Sequence, residues 1–189
     1  MSADAVTLAA IPVAALGGLL LALSDSMPLL LLIAPFVAAL RLMLNLLDGL
    51  VARRTGTAHP MGELLNELAD RVSDTFFIGG LAFVAAVGPL LALAAVIAAL
   101  LASYVGITAR ALGAPRQYGG VMSKPGRMIA ISIAAPLSFV MAAPWPLLVA
   151  TWIILLGSLL TLAQRIVSTR NALVRAQLTH ASDATDGTA

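Results

Sequence analysis

Residues 45 to 74 carry Asp48, Glu63, Glu67, Asp70 and Asp74, five of the nine acidic residues of the chain, together with Arg53, Arg54 and Arg71. Around them the sequence is almost wholly apolar. An ionisable group inside an apolar segment costs several kcal/mol unless it is paired or holds a cation, so these side chains are candidates for function. Gly62, Asn66, Asp70 and Asp74 recur every fourth residue and therefore line one face of a helix. On the preceding helix Asn45, Asp48 and Ala52 form one stripe, with Gly49 and Arg53 on the next. Two antiparallel helices joined by a short loop bring Asn45 and Asp48 opposite Asn66 and Asp70. Carboxylates and amide oxygens without His or Cys select a hard cation, Mg²⁺, Mn²⁺ or Ca²⁺. Gly49, Ala52 and Gly62 leave room for a close approach, either of helix to helix or of ligand to backbone. A plainer reading stands beside this for single residues: Glu67 and Arg71 sit at i,i+4 in the favourable order and can neutralise each other.

The elements that position these groups follow from composition. The chain has 189 residues, 60% of them hydrophobic and 11% charged, and a mean hydropathy of +1.00. Soluble domains carry about 25% charged residues, so an all-α polytopic membrane protein is expected. Breaks at polar, Pro and Gly residues divide the chain into six candidate spans, at 5–23, 28–52, 62–86, 89–112, 126–143 and 146–166. Residues 1–175 read as one transmembrane domain, and the small polar residues 176–189 as a disordered tail. Arg53, Arg54, Arg110, Arg116, Lys124, Arg127, Arg165, Arg170 and Arg175 all fall on one side of this layout. By the positive-inside rule that side, with both termini, is cytoplasmic. The absence of cysteine excludes disulfides, thiol chemistry and Cys-ligated zinc. No Gly-rich phosphate loop, Ser-His-Asp set or nucleic-acid-binding patch is visible, and His59 has no second ligand near it.

The spacing of the polar cluster resembles the signature of the CDP-alcohol phosphatidyltransferases, D-x2-D-G-x2-A-R-x8-G-x3-D-x3-D. Asp48, Gly49, Ala52, Arg53, Gly62 and Asp70 match it in type and spacing. The six-span layout agrees as well, so the resemblance extends over most of the chain while its specific part covers about thirty residues. It implies an integral membrane transferase that moves a phosphatidyl group from CDP-diacylglycerol to the hydroxyl of a small alcohol, releasing CMP. By position, Asn45, Asp48, Asn66 and Asp70 would be metal-site residues for Mg²⁺ or Mn²⁺, with Asp70 also the general base. Asp48, Gly49, Ala52, Arg53 and Gly62 would lie against the CDP moiety. The resemblance further implies a homodimer in the cytoplasmic membrane of a prokaryote, and the small residues from Ala92 to Ala99 would permit close helix packing.

Two departures stand out, because Asn45 and Asn66 occupy positions where the family has aspartate. Each removes a negative charge, so three outcomes are open: Glu67 or Asp74 makes up the charge, one metal binds instead of two, or catalysis is lost. A second basic cluster, Arg110, Lys124 and Arg127, either serves topology or binds a phosphorylated acceptor such as glycerol 3-phosphate or, second, inositol phosphate. Arg41, one turn before Asn45, points into the same cavity or pairs with an acid. The competing functions are a catalytically silent relative that binds CDP-lipid or acts as a membrane partner protein, and a small transporter, which the one-sided placement of the acids disfavours.

Overall fold

The computed structural model describes residues 3–55, 59–115, 117 and 119–186, with the side chains of 3, 4, 52–55 and 178–186 outside that description. Its described residues form six α-helices: α1 (Ala3–Ala22), α2 (Leu30–Thr55), α3 (Pro60–Gly80), α4 (Gly88–Ala111), α5 (Lys124–Val140) and α6 (Trp145–Asp186). A single 3₁₀ turn, Leu81–Phe83, follows α3. The number of helices agrees with the sequence reading. Helix α3 stops at Gly80 rather than 86, and α6 continues to Asp186, through most of the stretch expected to be a disordered tail. No glycine or proline interrupts residues 158–186, whereas Gly187 follows directly, so nothing in that stretch breaks the helix.

Local chemistry explains the helix starts. Pro60, Pro89 and Pro125 stand in the first turns of α3, α4 and α5, where their missing N–H groups cost nothing. His59 caps α3, its Nδ1 accepting from Gly62 N at 3.0 Å. The imidazole thus has a local task. Ser123 caps α5 through Oγ, which accepts from Gly126 N at 3.4 Å.

The helices close into a ring: α1 packs on α2 and α3, α3 on α4, α4 on α6, α6 on α5, and α5 on α2. The most extensive packing joins α1 to its two neighbours and α4 to α6. Close approach of α1 and α3 depends on glycine, since a Cβ on Gly18 would lie 2.3 Å from the Phe76 carbonyl oxygen and one on Gly80 equally near that of Gly18. The core is apolar, with Leu21, Phe77, Ile78, Leu81, Met128, Ile131, Leu147 and Ile154 almost completely enclosed. Ala92, Ala95 and Ala99 belong to this core, so the small-residue stripe expected to favour dimer packing is used inside the chain.

Four helices, α1, α2, α4 and α6, are long and apolar enough to cross a membrane. Large apolar side chains such as Phe36, Leu46, Leu90 and Trp152 cover their outer faces. Helix α3 falls short on composition, because Glu63, Glu67, Asp70, Arg71 and Asp74 lie within its 21 residues, and α5 on length, with 17.

Candidate active site

The polar side chains of α2 and α3 meet although the two helices scarcely pack on each other. Asn45 Nδ2 donates to Asn66 Oδ1 at 3.1 Å and to Asp70 Oδ1 at 3.0 Å. Arg41, only 1% exposed, donates from NH2 to the same Asp70 oxygen at 3.1 Å. Lys124, from the start of α5, makes a close ion pair with that oxygen as well. Asp70 is thus the point at which α2, α3 and α5 join. Asp48 is buried a turn away and accepts at Oδ2 from the Thr7 hydroxyl of α1, 2.9 Å off.

A second set of contacts extends this cluster along α3. Asp74 Oδ2 accepts from Arg127 NH2 at 2.6 Å, with both side chains almost fully enclosed. Arg71 donates to Glu67 Oε2 at 2.7 Å and to Ser103 Oγ of α4 at 2.6 Å. Glu67 and Asp74 are therefore already neutralised by Arg71 and Arg127, which bears on the suggestion that they make up for the charge missing at Asn45 and Asn66. Several buried nitrogens and oxygens here, among them Arg41 Nε and NH1, Arg127 Nε and Asp74 Oδ1, have no hydrogen-bond partner among the described residues.

Between α3, α4, α5 and α6 lies a cavity of about 330 Å³. It is lined by Asn66, Glu67, Asp70 and Arg71 of α3, Lys124 and Arg127 of α5 and Arg165 of α6. Of the three basic residues singled out in the sequence, Lys124 and Arg127 line this cavity. Arg110 does not: its exposed guanidinium pairs with Glu63 at the rim.

The loop before α5 is held by α6. Thr161 Oγ1 accepts from Met122 N at 2.8 Å, Gln164 Oε1 from Val121 N at 3.2 Å, and Arg165 Nε donates to Gly119 O at 2.9 Å. Arg165 also reaches Ala102 O of α4 at 2.7 Å. Gly120, at φ +136°, lies so close to Thr161 that a Cβ would sit 2.2 Å from its methyl carbon. These α6 residues, Ser103 and Thr7 escape a reading by motif, because each acts on a partner distant in sequence; a polar residue in an apolar helix is the one signal available. Gly49 has open space beside it and Gly62 lies in the first turn of α3. Ala52 and Arg53 fall in the last turn of α2, with side chains outside the described residues.

The described residues thus form a helical bundle with apolar outer faces, in which a carboxylate–amide cluster opens onto a cavity that also carries basic side chains. The family model for CDP-alcohol phosphatidyltransferases matches residues 1–164, and the chain belongs to that family. It is 34% identical over 153 residues to a phosphatidylinositol phosphate synthase of Mycobacteroides abscessus, an alignment covering 78% of this chain and 69% of that one. It is 32% identical to the inner membrane protein YnbA of Escherichia coli, over 68% of this chain and 64% of that one. The alignments thus span about two thirds of the length of these curated relatives. Crystal structures of the Mycobacterium tuberculosis phosphatidylinositol phosphate synthase superpose with a TM-score of 0.77 at 26% identity. One has CDP-DAG bound, and covers 89% of this chain and 86% of that one. Another is a complex with manganese and citrate, over 89% of this chain and 82% of that one.

Proposed function

We propose that the protein transfers a phosphatidyl group from CDP-diacylglycerol to the hydroxyl of a small phosphorylated alcohol, with CMP as the other product. The observation that carries this reading is the cavity lined by Asn66 and Asp70 together with Lys124, Arg127, Arg71 and Arg165. The carboxylate and amide oxygens suit a divalent cation, and the cationic side chains suit a phosphate monoester. Inositol phosphate is the first acceptor to try, given the names of the relatives, and glycerol 3-phosphate the second.

The donor set fits Mg²⁺ or Mn²⁺. Asp48 and Asp70 supply carboxylates, and Asn45 and Asn66 amide oxygens, with neither sulfur nor imidazole among them. Asn45 already touches both Asn66 and Asp70, so three of the four side chains converge. Glu67 and Asp74, which could add a carboxylate, are paired with Arg71 and Arg127, which favours one cation over two. When bound, the ion polarises phosphate oxygens and stabilises the charge that develops in an in-line displacement. The remaining work falls to side chains. Lys124 and Arg127 hold the acceptor phosphate, Arg41 and Lys124 orient Asp70 through their contacts with its Oδ1, and Asp70 takes the proton from the attacking hydroxyl. That oxygen bonds to the lipid-side phosphorus as the bond to CMP breaks. Gly49, Ala52, Arg53 and Gly62 are assigned to the CDP moiety.

The same reading places six spans in the bilayer, both termini and the site on the cytoplasmic side, and two copies in a homodimer. Helices α3 and α5 cross with Asp70, Asp74 and Arg127 turned inward, and α3 at ~1.5 Å per residue is long enough to do so. CMP release from CDP-diacylglycerol with Mg²⁺ or Mn²⁺ and each acceptor tests the assignment. Turnover should disappear in Asp70→Asn and in Asp48→Asn, and full activity in either overturns these roles. The two asparagines favour one second reading, a catalytically silent relative, which predicts CDP-lipid binding and no CMP with any acceptor.

A further inference from the structure

Helix α1 lies outside the signature, yet it supplies a contact to one of the proposed metal ligands. Thr7 and Asp48 are 41 residues apart, and both are buried, at 4% and 5% exposure. The threonine hydroxyl donates to Asp48 Oδ2 at 2.9 Å. A buried carboxylate needs donors for its oxygens, and this one is delivered from a separate helix.

The position of that hydroxyl is set far from the site. Gly17 and Gly18 cross α3 at Phe76, Phe77 and Gly80 with no room for a Cβ. Thr7 lies eleven residues earlier, about three turns or ~16 Å along the same helix. The tight crossing therefore limits how far α1 can slide along α3, while α1 also packs on α2, the helix that carries Asp48.

We propose that Thr7 is a positioning residue for divalent-cation binding. By occupying Oδ2 it fixes the rotamer of Asp48, so that the carboxylate is presented to the cation in one orientation. Partners of this kind typically contribute about 10- to 100-fold in metal affinity. The inference rests on the metal site proposed above, and it assigns α1 a share in the site that the signature does not contain.

The test uses the full chain in detergent with Mn²⁺ as probe, following free Mn²⁺ by its EPR signal during titration. Thr7→Val keeps shape and β-branching but removes the hydroxyl, and its Mn²⁺ affinity should fall by about tenfold or more. Thr7→Ser should stay within about threefold of the native protein, since its hydroxyl can still donate. CMP release measured against Mn²⁺ concentration should show the same shift in half-saturation, with the rate at saturating Mn²⁺ much less affected. A native protein that binds no Mn²⁺ defeats the metal reading itself, and this inference with it. A native protein that binds Mn²⁺ while Thr7→Val binds equally well defeats this inference alone. Should the valine variant not fold, Thr7→Ala against Thr7→Ser carries the comparison: equal affinities overturn the proposal, and a tenfold gap supports it.

Discussion

Arg127→Met exposes how the site is held together. Arg127 and Asp74 are 3% and 2% exposed at the side chain and meet at 2.6 Å. Removing one member of such a pair leaves a charge in a medium that cannot solvate it, at a cost of about 3–5 kcal/mol. Two features locate this case within that range. Arg71 NH1 is 3.9 Å from the same Asp74 oxygen and continues to offset the charge, which points to the lower end, near ~3 kcal/mol. The pair is also incompletely satisfied, since Asp74 Oδ1 and Arg127 Nε have no partner among the described residues. Its net contribution over an apolar pair is therefore small, and Asp74→Leu with Arg127→Met should recover most of the loss. At about 2–4 °C per kcal/mol for a chain of this length, the single variant should melt roughly 6–12 °C lower. Thermal unfolding of the native protein, both single variants and the double variant in one detergent closes the cycle. A single variant as stable as the native protein, or a double variant no better than the sum of the singles, refutes the reasoning.

Three other outcomes follow from the geometry. Lys124→Met should raise the acceptor KM about tenfold or more, as loss of a charge-assisted contact does, while Arg110→Ala leaves it nearly unchanged because Arg110 pairs with Glu63 outside the cavity. Steady-state kinetics with varied acceptor separates the two. Thr161→Val leaves the Met122 N–H buried without its acceptor, at about 1–3 kcal/mol, and should raise the acceptor KM by distorting the loop that leads into Lys124; Thr161→Ser should restore it. Gly18→Ala puts a Cβ 2.3 Å from the Phe76 carbonyl oxygen, and should lower thermal stability by about 1–3 kcal/mol.

Periodicity and punctuation made most of the architecture readable. Pro60, Pro89 and Pro125 mark helix starts in sequence, and the structure starts α3, α4 and α5 at or within a residue of them. The early end of α3 was not visible, because Gly79-Gly80 reads as part of an apolar run until Gly18 is seen pressed against it. In the site, fourfold spacing correctly brought Asn66 and Asp70 to one face and Asn45 opposite them. Spacing within a helix carries no information about partners from elsewhere. Thr7 on Asp48, Lys124 on Asp70 and Arg165 on the α4–α5 loop are contacts across 41, 54 and 46 residues. Arg41 is intermediate: its place one turn before Asn45 limited it to the cavity or an acid, and it found Asp70.

The partners of Asp70 and Asp74 also differ in when they are made. Lys124 and Arg127 follow these acids by 54 and 53 residues, an interval of roughly 3–10 s at ordinary ribosomal rates. Arg41 precedes Asp70 and Arg71 lies three residues before Asp74, so each acid emerges with a cation already synthesised. On the six-span reading, α3 enters the bilayer with provisional counter-ions from its own end of the chain. Arrival of α5 then completes the neutralisation and joins α2, α3 and α5 at Asp70 beside the cavity. Insertion and assembly of the site are, for this helix, one event in two stages.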